Sequence, residues 1–484
     1  MRVIGNRGNT ARKLQAVASG ALASGDTVIV NANGTVSVIA ASSGNEGAGT
    51  PVVFEGANSG YTSIAYDSNA QKVVIAYRDY GNSNYGTAIV GTVSGTSISF
   101  GNSAVFESDA VDQVNITYDS NAQKVVIAYQ DEGNSNRGTA VVGTVSGTSI
   151  SFGSPVVFNT SLVFYAEITY DSNAQKVVIA YRDTITPGRG TAVVGTVSGT
   201  SISFGSPVVF DSSQSDDVAI TYDTNAQKVV IVYKDAGNSG YGTAIVGTVS
   251  GTSISFGTPT VFYSGNNFDN AIGYDSDAQK VVIAYKGPSS YGTAIVGTVS
   301  STSISFGSGV VIESDIAIKY QSVVYDTRAK KIVIAYMADG AGDLPKVVIG
   351  TVSGTSISVG SPFVLAAGVE TEFNSATYDA NAQKVVIVYS NSTNSGYGTS
   401  VVYQAAYNST TLTAENYIGI ASNGYASGQA ATINAKGFID DNQSSLTAGQ
   451  SYFVQTNGDL GTTAANPSVF AGTAVSATKL IVKG

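Results

Sequence analysis

A Tyr-Asp pair returns seven times along this chain, its tyrosine at Tyr66, Tyr118, Tyr170, Tyr222, Tyr274, Tyr325 and Tyr378. The period is almost constant from each copy to the next. So regular a period means one supersecondary unit used repeatedly, each copy burying its apolar faces against its neighbours. In the second copy four runs rich in Val, Ile, Thr and Tyr fall at 115–119, 124–131, 138–147 and 148–158, divided by Gly, Asn, Asp and Ser. Such runs predict strands and such dividers predict turns. No stretch of the repeats carries a helical period.

The second run decides how the sheets are covered. In KVVIAY, Val125, Ile127 and Tyr129 point one way, and Val126 and Ala128 the other. Both faces are apolar, so both need a neighbour. Four-stranded sheets stacked face to face meet that need, as in the blades of a β-propeller; a two-layer sandwich would leave one face wet. The ends of the array point the same way. The seventh copy lacks the SISFGSPVVF signature, and GTPVVF (49–54) stands alone before the first copy. A strand from before the first repeat that completes the last would remove two exposed edges. The expected fold is all-β: a seven-bladed β-propeller over 46–410, its last blade closed by an N-terminal strand. Residues 1–45 and 411–484 flank it, and 20–45 is expected to join 411–484 in one small β-barrel or β-sandwich module.

The stretch VVGTVSGTSISFGSPVVF (141–158) resembles the third-to-fourth-strand hairpin of sialidase-type propellers, with a degenerate Asp-box turn. The turn is Ser146-Gly147-Thr148-Ser149, without an aspartate, and Phe152 stands where that family has Trp. The flanks resemble small β modules of tailed-phage virion proteins, in the words ASGDTVIVNANGTVSV (23–38), ENYIGIA (415–421), LTAGQSYFVQTNGDL (446–460) and AGTAVSATKLIVK (471–483). That resemblance implies a head-decoration, head-fibre or tail-fibre protein at the virion surface, assembled in the host cytoplasm. It also implies contacts with other virion proteins through the terminal module, and a homo-oligomer, a trimer by analogy.

Composition bounds the chemistry. The 484 residues include no His and no Cys. Triads built on His, thiol catalysis, disulfides and Cys-based zinc sites are therefore out. A net charge of −10 argues against a nucleic-acid partner. The opening stretch holds Arg2, Arg7, Arg12 and Lys13 and no acid, which reads as a docking arm or a disordered terminus. No apolar run follows these charges, so no signal peptide is expected, and no segment is long enough to span a membrane. A sialidase-type active site would need clustered arginines, whereas Arg78, Arg137, Arg182, Arg189 and Arg328 are expected in turns. A non-enzyme without cofactors is the expectation.

Comparison among the seven copies locates a candidate site. The turn after each Tyr-Asp hardly varies, and its Asp is expected to cap an Asx turn and pair with a Lys (Asp119 with Lys124), or else to join a ring of cation-binding carboxylates. The segments leading into each first strand all differ, from EGANSGYTS (55–63) to AAGVETEFNS (366–375). Read as loops on a rigid scaffold, they are where binding is expected. Their aromatic and polar residues Tyr61, Phe164, Tyr165, Glu167, Asp216, Asp217, Tyr263, Asn267, Phe268, Asp269, Tyr320 and Phe373 form the candidate ligand face. Rings beside acids and amides suit a saccharide, offering plates for C–H faces and acceptors for hydroxyls. Between the second and third strands, Asp79, Asn82, Asp131, Asn134 and Asp235 offer oxygens that could hold Ca²⁺. With no closing Glu there, a capped loop is the favoured reading. The function expected is attachment to host-surface glycan. The alternatives are a structural capsid decoration without ligand and a secreted bacterial lectin or adhesin.

Overall fold

The computed structural model describes residues 2–4, 13–184, 188–340 and 342–483, the side chains of residues 2–4, 315, 373 and 409 excepted. Among these the chain is all-β, with short 3₁₀ turns and no α-helix. It divides into two compact units, one of residues 45–405 and one of residues 1–44 with 406–484.

In the repeat-bearing unit each copy gives the same antiparallel set. The second copy runs Lys124–Asp131 between the inner half of Ala104–Asp119 and Arg137–Ser146. Arg137–Ser146 pairs on its other side with Ser149–Phe152 and with the opening of Val156–Asp171. The long strands therefore belong to two copies. Val52–Asp67, Ala104–Asp119, Val156–Asp171 and Val208–Asp223 each have 16 residues, outermost in one sheet at the start and innermost in the next at the end. The middles of these strands, which read from sequence as loops, are continuous strand in the fold. The exceptions are the breaks between Thr260–Asn266 and Phe268–Asp275, and between Phe363–Val364 and Thr371–Asp379.

The segment ahead of the first copy is used as its signature predicts. Val52–Asp67 pairs with Tyr397–Gln404 of the seventh copy in the register that Val156–Asp171 keeps with Arg137–Ser146. A Cβ on Gly49 would lie 1.8 Å from the Thr96 carbonyl oxygen, as one on Gly153 would from that of Thr200, so each strand lies directly on the following copy's hairpin turn. Asn381 N–H donates to the Tyr66 hydroxyl at 3.2 Å, matching Asn69 to Tyr118 at 3.3 Å. The seventh copy meets the first by the contact that joins neighbours elsewhere.

Both faces of each sheet are covered. Val125, Ile127 and Tyr129 pack with Val74, Ala76 and Phe106 on one side. Val126 and Ala128 pack with Phe158, Ile179 and Tyr181 on the other. Tyr129 is fully buried, its ring 5.2 Å from that of Phe106 and its hydroxyl donating to Glu107 at 2.9 Å. Phe54, Phe158, Phe210 and Phe262 hold the equivalent tyrosines at 5.2 to 5.3 Å.

In the terminal unit one six-stranded sheet has the order Arg2–Ile4, Lys13–Val17, Ala430–Asn434, Tyr417–Ala421, Thr27–Val30, Val36–Val38. Strands from both chain ends are thus interleaved within it. A five-stranded sheet of Ile439–Asp440, Lys479–Val482, Val469–Ser476, Ser451–Val454 and Leu460–Gly461 shares a core with it, where Ile29, Tyr417 and Ile420 meet Val454, Val469 and Leu480. Gly34 and Gly458 supply the positive φ of two Asn-Gly turns. Lys13, read from sequence as part of a basic arm, starts a strand and lies 4.8 Å over the Phe438 ring. Arg7 and Arg12 lie outside the described residues, as does the side chain of Arg2.

Candidate functional site

The middle of each crossing strand carries a β-bulge. The register with the next strand slips between Gly60 and Ser63, Asp112 and Asn115, Phe164 and Glu167, Asp216 and Ala219, Phe268 and Ala271, Lys319 and Ser322, and Glu372 and Ser375. The first residue of the bulge takes positive φ in six copies: Tyr61, Gln113, Tyr165, Asp217, Asp269 and Tyr320, at +46° to +53°. None is glycine, although left-handed backbone costs a side-chain-bearing residue about 1–2 kcal/mol. A bulge also re-aims the side chains around it. These residues and those just after them, drawn from all seven copies, line one cavity of about 470 Å³.

The wall is uneven. Around Ser63, Asn115 and Glu167 it is polar and cross-linked: Ser63 donates to Asn115 at 3.1 Å, and Asn115 donates to Glu167 at 2.7 Å. Burial pushes the Glu167 carboxyl up to about 7, against the pull of the Asn115 amide. At the positions in phase with Glu167 stand Ala219 and Ala271. Asp217 is pushed up to about 6, first by burial and then by the charges of Asp269 and Asp216, with Lys234 and Arg182 opposing. Burial raises Asp269 too, against Lys286 and Lys319. Buried amide atoms of Asn270, Gln321 and Asn374 find no protein partner, although the Asn270 Nδ2 donates to the Asp217 carbonyl at 2.9 Å.

Three cations near the bulges are already engaged. Arg78 pairs with Asp112 of the next copy at 3.3 Å and with Glu132 at 2.7 Å. Arg182 pairs with Asp216 and lies 4.4 Å over the Phe164 ring and 5.3 Å from that of Tyr165. Lys234 sits 3.5 Å over Phe268. Arg78–Asp112, Arg182–Asp216 and Lys234–Phe268 join equivalent positions of successive copies, a cation from one and an acid or ring from the next. Of the five arginines expected in turns, Arg328 lies in one, whereas four lie within strands: Arg78 and Arg182 near the end of one, Arg137 and Arg189 at the start of another.

Of the twelve candidate residues, Tyr61, Phe164, Tyr165, Glu167, Asp217, Asp269 and Tyr320 line the cavity. Asp216 and Phe268 serve the cation contacts just described instead. Tyr263, partly buried, packs against the core with its ring 5.2 Å from that of Tyr285, and Asn267 is fully buried away from the cavity wall. The side chain of Phe373 lies outside the described residues. The cavity adds Gln113, Asn115, Asn270 and Gln321. Position within the repeat would have found them, since Gln113 stands one full period after Tyr61 and one before Tyr165.

The other polar positions hold turns. Asp79, Asp131 and Asp235 cap 3₁₀ turns, accepting the backbone N–H of Asn82, Asn134 and Asn238 at 3.0 Å. The Asn134 side-chain Oδ1 accepts from Arg137 at 3.2 Å. No group of three acids that could hold a metal occurs among the described residues. The repeated Asp at the hairpin end accepts two backbone N–H groups in every copy, as Asp119 does from Asn121 and Ala122 at 2.9 Å. Its expected ion pair with Lys is replaced: Lys124, Lys176, Lys228 and Lys280 turn to the carbonyl oxygens of Gln123, Gln175, Gln227 and Gln279 at 3.4 Å.

No family model matches the sequence, and no curated protein does. Solved structures do match. BP39L lectin from Burkholderia pseudomallei is 9% identical with a TM-score of 0.53, over 78% of this chain and 99% of that one. A protein of unknown function from Dyadobacter fermentans is 10% identical with a TM-score of 0.47, over 75% of this chain and 99% of that one. At such identity the likeness is one of fold: an all-β chain with a lectin as structural neighbour.

Proposed function

We propose that this chain is a non-enzymatic carbohydrate-binding protein of a phage virion surface, in which seven repeats form a seven-bladed β-propeller and the cavity among their bulges receives the glycan. The observation that carries the reading is the lining itself. Tyr61, Tyr165 and Tyr320 stand among amides and carboxylates around a space of about 470 Å³, a size and chemistry suited to one or two sugar rings. The fold likeness to BP39L lectin supports a saccharide over other small ligands. The phage assignment rests on the flanking sequence words. In that reading the terminal unit joins other virion proteins, and the assembled protein is a trimer on the head or a fibre.

The test is binding of purified, labelled protein to a glycan array and to cells of candidate hosts. Saturable binding that one sugar class competes, and that Tyr61→Ser and Tyr320→Ser weaken without loss of folding, is expected. Absence of binding from a folded oligomer would return the protein to a purely structural decoration role.

A further inference from the structure

Resting on that reading, the cavity wall also carries a charge preference. Its described lining contains Glu167, Asp217 and Asp269 and no lysine or arginine. Of the cations around it, Arg78 and Arg182 are held in ion pairs with Asp112, Glu132 and Asp216, and Lys319 is held by Asp339 at 2.9 Å. Lys234 lies on the Phe268 ring, and Lys286, outside the lining, offsets part of the Asp269 charge. Between Asp269 and the seventh copy, three amides at one repeat position, Asn270, Gln321 and Asn374, present carbonyl oxygens without a protein partner. Asn374 is 9% exposed and lines the cavity. A buried polar group without a partner costs about 1–3 kcal/mol, and in a native fold such a group calls for an explanation. Three orphan acceptors beside two aspartates, against one orphan donor, the Gln321 Nε2, call for a ligand rich in hydrogen-bond donors and carrying positive charge. An anionic sugar would meet acceptors and like charge.

We propose that the cavity selects the amine-bearing end of a saccharide, an aminohexose with a free ammonium group, over its neutral, N-acetylated and carboxylated counterparts. Asp217 and Asp269 supply the counter-charge, the three amide carbonyls accept from ammonium and hydroxyl groups after small rotations of their side chains, and Tyr61 and Tyr320 wall the ring. Binding of a cation also draws protons off the carboxyls it meets, because the same charge lowers their affinity for protons. Asp216, Asp269, Lys234 and Arg182 act on Asp217; Lys286, Lys319 and Asp339 act on Asp269; Asn115 acts on Glu167. Asp217, pushed up to about 6 and meeting the ammonium group, is the carboxyl that gives up this proton.

The experiment is calorimetric titration of the full chain at pH 6, where the sugar amine is fully charged and Asp217 is partly protonated, with glucosamine, glucose, N-acetylglucosamine and glucuronate, repeated in two buffers of different ionisation heat. The expected order is glucosamine tightest, by about tenfold over glucose, with glucuronate silent and with net proton release on glucosamine binding. Asp217→Asn with Asp269→Asn should erase the tenfold preference. Gln321→Leu should weaken binding about fivefold while leaving the melting temperature unchanged or raised, since it removes an orphan amide; a structural amide would lower it. Saccharide binding without this order, or with glucuronate favoured, would overturn the charge preference and leave the carbohydrate reading standing. No binding of these four sugars or of any array glycan would sink both.

Discussion

The strands that line the cavity keep one backbone at each end, at the hairpin in all seven copies and at the bulge in six, but their side chains repeat at one end and vary at the other. At the hairpin end the Asp, the Ala-Gln of its turn and the Lys recur with little change, the one exception being Ala-Lys in the sixth copy. The Asp caps the turn in all seven copies. At the bulge end the left-handed residue is Tyr, Gln, Tyr, Asp, Asp or Tyr. Backbone geometry therefore does not require the variety at the bulge; the same φ is reached by three residue types. Where side chains complete the fold they repeat, and where they differ they line a cavity.

This contrast can be broken in several ways. Core truncation should act hardest. Tyr129→Ala removes a fully buried ring and strands the Glu107 carboxylate, and about 4 kcal/mol of stability should go; denaturant unfolding that shows a loss of less than about 1 kcal/mol would refute the packing described. Next comes Glu167→Gln at the bulge end. The Glu167 carboxyl is raised to about 7 in the fold against 4.5 normally. Its neutral form therefore favours folding fully below pH 4.5, and that contribution is lost as pH rises through 7. The glutamine should match wild type at pH 4 and exceed it at pH 8 by up to about 3 kcal/mol. Equal stabilities at both pH values in thermal melts would mean the carboxylate is better solvated than its setting indicates.

Smaller effects sharpen the comparison. Asp119→Ala should cost about 1–2 kcal/mol by freeing two backbone N–H groups, with no change in glycan binding. Smallest are the glycine pair. Gln123→Gly and Tyr61→Gly both relieve a left-handed residue, at +56° and +49°, and the backbone gain in each should be about 0.5 kcal/mol once the added freedom of the unfolded chain is counted. Only Tyr61→Gly should lose binding. If both or neither lose it, the division of labour between the two ends is wrong.

The strands and hairpins are readable because alternation in KVVIAY and the Gly-bearing turns are local signals. The use of GTPVVF is readable because it repeats a word whose partner is absent at the other end. The middles of the long strands are not. Asp, Asn, Ser and Gly in segments such as DSSQSDDVA (211–219) mark turns elsewhere, but here they ride on a ladder whose hydrogen bonds come from two different sheets, which no local window contains. The same limit puts Tyr263 and Asn267 in the ligand face: Tyr263 sits in a strand and packs on Tyr285, and Asn267 is buried at the break between two strands. Asp216 is misplaced for another reason: its partner Arg182 belongs to the preceding copy.

Sharing each long strand between two copies sets a schedule for folding. During synthesis the first sheet lacks its outer strand until residues 97–110 emerge, and every later sheet waits in turn for the copy behind it. The last sheet waits the other way, because Tyr397–Gln404 finds its partners at Gly47–Ala48 and Val52–Asp67, made before any of the seven copies was complete. Until then the opening strand has an unpaired edge. Contacts so distant in sequence close slowly, so the nascent chain holds that edge open while all the intervening copies are made, and the final pairing is the step at which two such chains in proximity could exchange ends.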